Sequence, residues 1–237
     1  MEYKNIFRHR GWAYDSAMNL YPNVRDKEFQ SLFSKYPIQN NETILDIPSL
    51  GGYLQKYCLQ DTTVLSLDFS ESINNIQVVS PYKQWNIPKV DRIVCLASIH
   101  HIENLNLFLS NLSLHIKNDG FIHLADVSYG SNVSYFLDEF IGKYTSTGEH
   151  KGLYYNWHNI DFPKDLSVLS ISDIKCPWLF DSTNDMISYC KLLFDLHNVS
   201  DDQILNGLEK YVGYQELNDK IHLNWHLTYI DLQSNNF

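Results

Sequence analysis

Short apolar runs alternate with segments of helical period through the middle of the chain. TILDI, TVLSLDF, RIVCLAS and FIHLADV have strand length and near-continuous hydrophobicity, the pattern of strands covered on both faces. Between them, YLQKYCL and LNLFLSNLSLHI have helical length, and the stretch from Glu71 has room for another helix. This alternation predicts βαβ units and a parallel sheet, hence an α/β class. Residues 1 to 40 carry helical patterning, with YDSAM and KEFQSLFSKY as helices separated by YPN and the second ended by Pro37. After Asp126 the rhythm changes. SYFLDEFIGKY reads as a helix, GEHKGLYYNWHN as a loop and LSVLSISDI as extended chain; NDMISYCKLLFDL reads as a helix capped by Ser182 or Thr183. A further helix is expected near residues 201 to 212, and IHLNWHLTYIDL alternates as a closing strand. No repeat or low-complexity segment interrupts this order, and the last five residues, QSNNF, are expected to fray.

Composition narrows the classes of function. The chain has 237 residues, 44% hydrophobic and 14% aromatic, enough for one large core, so a single domain is expected. A net charge of −10 without a sustained basic run argues against a nucleic-acid partner and for a small-molecule one. The polar start MEYKNIFRHRGW and the absence of a long apolar run argue against an export signal or a membrane span, so a cytoplasmic protein is expected. Cys58, Cys95, Cys176 and Cys190 are far apart, and no Cys or His group has zinc-like spacing. Reduced thiols and no metal are the expectation.

The stretch ILDIPSLGGYL places a strand, a turn of mostly small residues and a helical segment in succession. In open α/β sheets ligands sit beyond the carboxyl ends of the strands, where such a turn lets backbone approach a nucleotide. The next strand ends in Asp68, sixteen residues after Gly52, close to the spacing of a ribose-binding acid. Each signal alone has a structural alternative: the glycines can relieve tight packing, and the aspartate can cap the segment after its strand.

Four segments in order, ILDIPSLGG, VLSLDFS, DRIVCLASIHHIEN and HIKNDGFIHLADV, resemble the landmarks of class I S-adenosylmethionine-dependent methyltransferases. The resemblance covers roughly residues 40 to 130. It implies a Rossmann-like fold with a mostly parallel seven-stranded sheet, helices on both faces, an N-terminal helical lid over residues 1 to 40 and a cofactor core over 41 to 130. An acceptor-side insertion after strand five, helices and the antiparallel closing strand would occupy 131 to 237. S-adenosylmethionine is the implied cofactor. Asp46, Pro48, Ser49, Gly51 and Gly52 would form its loop, Asp68 would bind the ribose and Phe69 would flank the adenosine. Ala97, Ser98 and His101 would lie near the sulfonium. Trp85, with Tyr82 and Gln84 close by, stands where the family's adenine acid is missing. The loop departs from the family pattern, because Pro48 and Leu50 replace two glycines.

A sulfonium methyl is already electrophilic, so the enzyme chiefly aligns a nucleophile, excludes water and removes at most one proton. The candidate catalytic residues are His100, His101, Tyr129, Tyr155 and His158, with His150 and Tyr154 in the same late loop. The histidines can equally satisfy backbone carbonyls, and Tyr154, Tyr155 and Trp157 can equally close the core. Arg8, Arg10 and Tyr14 precede the first strand, where arginines could meet a carboxylate or remain solvated. The expected function is methyl transfer to a small-molecule O, N or C nucleophile, with a homodimer left open. Cleavage or cyclisation of the cofactor's aminobutyl arm, releasing methylthioadenosine, and a non-catalytic binding protein are the alternatives.

Overall fold

A computed structural model describes residues 3–71 and 76–235. Its centre is a seven-stranded sheet in the order β3-β2-β1-β4-β5-β10-β6. Strands β1 (Thr43–Asp46), β2 (Thr63–Asp68), β3 (Gln77–Val78), β4 (Val90–Leu96) and β5 (Ile116–Asp126) run parallel. Strand β10 (His226–Ser234) lies antiparallel between β5 and β6 (Leu166–Lys175). Successive residues serve opposite cores, as the pleat demands. Ile44, Val94 and Ala125 pack into one, and Leu45, Ile93, Cys95 and Leu124 into the other.

The helices differ from the pattern in instructive ways. Helix α1 is continuous over Tyr3–Leu20 rather than beginning near YDSAM. Its buried stripe includes Tyr3, Phe7 and Arg10, and the charged run Arg8–His9–Arg10 obscures that periodicity in the sequence. Helix α2 spans Asp26–Leu32. YLQKYCL forms only a 3-10 turn, Tyr53–Tyr57, so the first crossover lacks a full helix. The stretch expected as a helix from Glu71 falls largely on residues 72–75, outside the described residues. Helix α3 is Leu105–His115, started by the Asn104 side chain accepting from the Leu107 N–H. SYFLDEFIGKY is helical but not uniformly α: α4 (Asn132–Tyr135) runs into a π segment, Phe136–Ile141, and closes in α5 (Gly142–Tyr144). Helix α6 (Thr183–Leu193) is capped by Ser182, and α7 (Asp201–Tyr211) starts with a capping box of Ser200 and Gln203.

The closing alternation is two strands. Strand β9 (Lys220–Leu223) joins β7 (Trp178–Phe180) and β8 (Tyr214–Leu217) in a small antiparallel sheet, whereas β10 joins the main one. Asn224 and Trp225 make the transfer between sheets. Of the tail expected to fray, Gln233 and Ser234 lie in β10, and Asn236 and Phe237 are outside the described residues. No described helix is long and apolar enough to cross a membrane.

Candidate active site

The carboxyl ends of β1, β2, β4 and β5 converge on one rim, carrying Asp46, Asp68, Leu96 and Asp126. Strand order reverses between β1 and β4, the usual position of a ligand crevice. The loop after β1 is fastened to both neighbours: the Ile47 N–H donates to the Val94 carbonyl and the Ser49 N–H to that of Leu67, both at 3.0 Å. Leu50 adopts φ 51°, so it keeps a left-handed conformation at a position where the family pattern has glycine. Ala97, at the end of β4, also has φ 51°. Such geometry costs about 1–2 kcal/mol for an L-residue and recurs where backbone is held for function.

Asp68 ties the rim together. It is only 2% exposed. One carboxylate oxygen accepts the Leu50 N–H at 2.8 Å and the Tyr3 hydroxyl at 3.2 Å, while the other accepts the Ser70 N–H at 2.9 Å. Burial raises its carboxyl, and those donors oppose the rise.

Two cavities meet at this rim. The outer one, about 420 Å³, is lined by Phe69, Val78, Val79, Ser80, Tyr82 and Ile102, together with Tyr3 and His101. Tyr82 is held in place because its hydroxyl accepts the Glu103 N–H at 2.9 Å. The inner one, about 80 Å³, is lined on one side by Tyr3, Phe7, Arg10 and Tyr14 of α1. Leu50, Ala97, Ser98 and three histidines form another side, and Trp178, Phe194 and Trp225 a third. Tyr3 and His101 border both cavities and form the partition. Arg10 reaches the Leu193 carbonyl at 2.8 Å, its Nε has no partner, and burial lowers its pKa to about 10.

The histidines are His100, His101 and His150. His100 Nδ1 lies 2.7 Å from Asp126, which also accepts the His100 backbone N–H at 2.9 Å. His150 Nδ1 lies 3.2 Å from Asp138, on the π segment, and Asp138 also accepts from Tyr154 at 2.8 Å and from the Gly152 N–H at 3.1 Å. His101 Nδ1 is buried without a partner. Burial, then His100, His150 and Arg10, hold His101 well below the ordinary imidazole range. Burial likewise takes His150 down to about 4, against the pull of Asp138. His101 and His150 are therefore neutral near pH 7.

The Asp46 carboxyl is buried and has no hydrogen-bond donor among the described residues. Burial first, and then the Asp68 carboxylate, push its carboxyl well above the usual range. The folded state therefore holds this proton more tightly than the unfolded chain. The resulting penalty is absent below the unfolded pKa of about 3.9 and grows as pH rises toward the folded value. Asp46→Asn cannot ionise, so its thermal midpoint is expected to exceed the parent's at neutral pH. That advantage should disappear as the pH falls toward about 4. Calorimetric scans across this range check it, and a pH-independent difference would contradict the assignment.

The structure gathers most of the residues singled out in the sequence. Asp46, Pro48, Ser49, Gly51, Gly52, Asp68, Phe69, Ala97, Ser98, His100 and His101 all lie along this rim or its loops. Gly52 has φ 74°, which favours glycine. Others lie elsewhere. Tyr129 is 74% exposed and His158 is exposed, and neither lines a cavity described above. Trp85 stacks on His115 and donates to the Ser80 carbonyl at 2.8 Å, so it supports the loop from beneath while Tyr82 faces the cavity. Tyr155 donates to the Ile102 carbonyl at 2.9 Å and Trp157 is core, so the late-loop aromatics brace the site. Arg8 points outward, whereas Arg10 lines the inner cavity. Sequence reasoning missed Tyr3, Phe7, Asp126, Asp138, Trp178 and Trp225. Only Asp126 carried a visible signal, as a third acid closing a predicted strand.

The strand order, the antiparallel β10 and the acid ending β2 define the Rossmann-like fold of class I methyltransferases. Comparison with known proteins agrees, although no family model matches the chain. The ubiquinone biosynthesis O-methyltransferases of Rickettsia typhi and Rickettsia felis are each 24% identical to it, over 141 and 157 residues. These matches cover 51% and 57% of this chain and 56% and 63% of the relatives, so the chain spans little more than half of their length. Among solved structures, coclaurine N-methyltransferase bound to N-methylheliamine and SAH superposes with a TM-score of 0.59 at 14% identity, over 89% of this chain and 70% of that one. Phosphoethanolamine N-methyltransferase 2 of Haemonchus contortus, in complex with phosphomonomethylethanolamine and S-adenosylhomocysteine, gives 0.52 at 13%, over 96% and 57%. A cyclase gives 0.54 at 11%, over 88% and 80%. At these identities the structural likeness establishes the fold.

Proposed function

We propose that the protein is an S-adenosylmethionine-dependent methyltransferase acting on a small-molecule nucleophile. On this reading, residues 1–237 form one unit, with 1–40 as its lid and 131–237 on the acceptor side. The supporting observation is that Asp68 adjoins Phe69 and is bonded to Tyr3, both of which line an outer cavity of nucleoside size that abuts an inner cavity lined by imidazoles and aromatic rings. Phe69, Val78, Val79, Tyr82 and Ile102 would hold the adenine, Asp68 the ribose, and Asp46 and Ser49 the methionine part. The site has the chemistry for such a guest: the Asp46 carboxylate lacks a hydrogen-bond donor among the described residues, and the buried Ser49 and Ser70 hydroxyls have no partner. The cofactor supplies an electrophilic methyl group. The chain's contribution is to orient the acceptor and exclude water, with α1 as a roof and neutral His101 as a hydrogen-bond acceptor for its O–H or N–H. Calorimetry with S-adenosylmethionine and S-adenosylhomocysteine, followed by product analysis, tests this reading. S-adenosylhomocysteine as product supports it, methylthioadenosine assigns the aminobutyl route, and failure to bind either nucleoside at micromolar level rejects a working pocket.

Tyr3 makes a second expectation available. Its hydroxyl occupies a lone pair of the carboxylate that the ribose would use. A hydrogen bond to a charged group contributes about 1.5–3 kcal/mol. Tyr3→Phe is therefore expected to bind S-adenosylhomocysteine roughly tenfold more tightly, and weaker binding by titration calorimetry would show that Tyr3 assists the ligand instead.

A further inference from the structure

We propose that His100, His101 and His150 form a site for a divalent transition-metal ion, zinc in the first instance, with one coordination position open to the inner cavity. One ring nitrogen from each histidine lies within 4.8 Å of the other two, and all three residues are buried. The ring centroids are 4.0, 5.2 and 5.6 Å apart. Three imidazoles bound to one tetrahedral zinc at about 2.0–2.1 Å place their centroids about 5 Å apart. Modest rotation, chiefly between the adjacent His100 and His101, would complete the geometry.

The surroundings of the cluster are those of a metal site. Asp126 and Asp138 face Nδ1 of His100 and His150. A carboxylate there fixes the proton on Nδ1 and leaves Nε2 with its lone pair free, the usual second partner of a zinc-bound histidine. His101 adds a buried ring nitrogen with no partner. The chain also holds His150 closely: a Cβ on Gly142 would come within 3.0 Å of the His150 backbone. Imidazole-only ligation suits zinc, copper, iron and nickel rather than magnesium or calcium. Three protein ligands with an open fourth position form the arrangement of catalytic zinc.

Arg10 faces the same cavity and disfavours a bare cation. An anionic oxygen at the open position would face both the ion and the Arg10 guanidinium, and so suits this end of the cavity. Ion binding itself does not rest on the proposed methyl transfer, but the two share His101, whose single lone pair serves either the ion or the acceptor's proton. If that reading also holds, the acceptor class is a hydroxyl compound bound as its oxyanion, because metal coordination acidifies the O–H.

The test uses the full chain, stripped with a chelator and titrated with zinc by calorimetry, then with cobalt as a visible-region probe. One equivalent bound at submicromolar level, with the intense absorption of tetrahedral cobalt, is expected. His150→Ala should weaken binding at least a hundredfold, and Asp138→Asn, which keeps all three ligands, by about tenfold to a hundredfold. Cys58→Ser should change nothing, since a thiol is the competing adventitious ligand. No zinc binding by the folded parent chain, or binding that survives in both His150→Ala and Asp138→Asn, overturns the site; so does binding abolished by Cys58→Ser. Nucleoside calorimetry on the stripped protein separates this result from failure of the methyl-transfer reading.

Discussion

Replacing Asp68 with Ala is expected to weaken S-adenosylhomocysteine binding by at least a hundredfold. The expectation rests on where the carboxylate lies: at the end of β2, next to Phe69 of the outer cavity and almost wholly buried. Two hydrogen bonds from ribose hydroxyls to a charged acceptor, at about 1.5–3 kcal/mol each, correspond to roughly 10² to 10⁴ in affinity. Asp68→Asn removes the charge at nearly constant shape, and its single amide oxygen can accept from either the Leu50 or the Ser70 N–H, which meet different carboxylate oxygens in the parent. It should bind with intermediate strength. Titration calorimetry on both variants, after circular dichroism has shown them folded, measures the effect. Parent-like affinity in Asp68→Ala would place the ribose elsewhere.

Glu28→Ala is expected to cost about 3–5 kcal/mol of stability, the penalty for breaking a buried ion pair from one side. Glu28 is fully buried on α2. It pairs with Arg25, accepts the Trp178 indole N–H at 2.8 Å, and stands at the wall of the inner cavity. Removing it strands a buried guanidinium, whose other hydrogen bond is to the Tyr14 hydroxyl of the lid helix, and leaves the indole without an acceptor. For a chain of this size the loss corresponds to a fall in thermal midpoint of roughly 10 °C. Glu28→Gln keeps the shape and a single acceptor oxygen, which can serve either the Arg25 or the Trp178 donor but not both, and should lose less than Glu28→Ala. Differential scanning calorimetry distinguishes the two, and equal losses would mean that charge, not shape, is what Glu28 supplies.

The parallel core was legible because each of its main strands is a short apolar run bounded by turn residues, and three of them end in an acid that the rim uses. What local pattern could not reveal came from distant pairing. Asn224 and Trp225 divide an unbroken alternation into strands of two different sheets, which only the partners β7 and β10 determine. YLQKYCL has the length of a helix, but it comes after a loop pinned to its neighbours by Ile47 and Ser49, and only one 3-10 turn forms. The site divides in the same way. Asp46, Asp68, Phe69 and His101 follow their strands and were visible. His150 meets His100 and His101 from a loop about fifty residues further on, a separation that no local sequence pattern reveals. Leu50 looked like a broken glycine loop. In the structure its backbone takes the left-handed conformation that a glycine would supply, with a side chain added.

Trp178 and Trp225 stack with centroids 4.0 Å apart against the inner cavity. Two indoles at that separation couple their electronic transitions, so the pair should give a circular-dichroism couplet distinct from the exposed Trp12. Any guest that shifts one ring against the other would change that signal, giving the chain an intrinsic optical reporter of occupancy that needs neither label nor turnover.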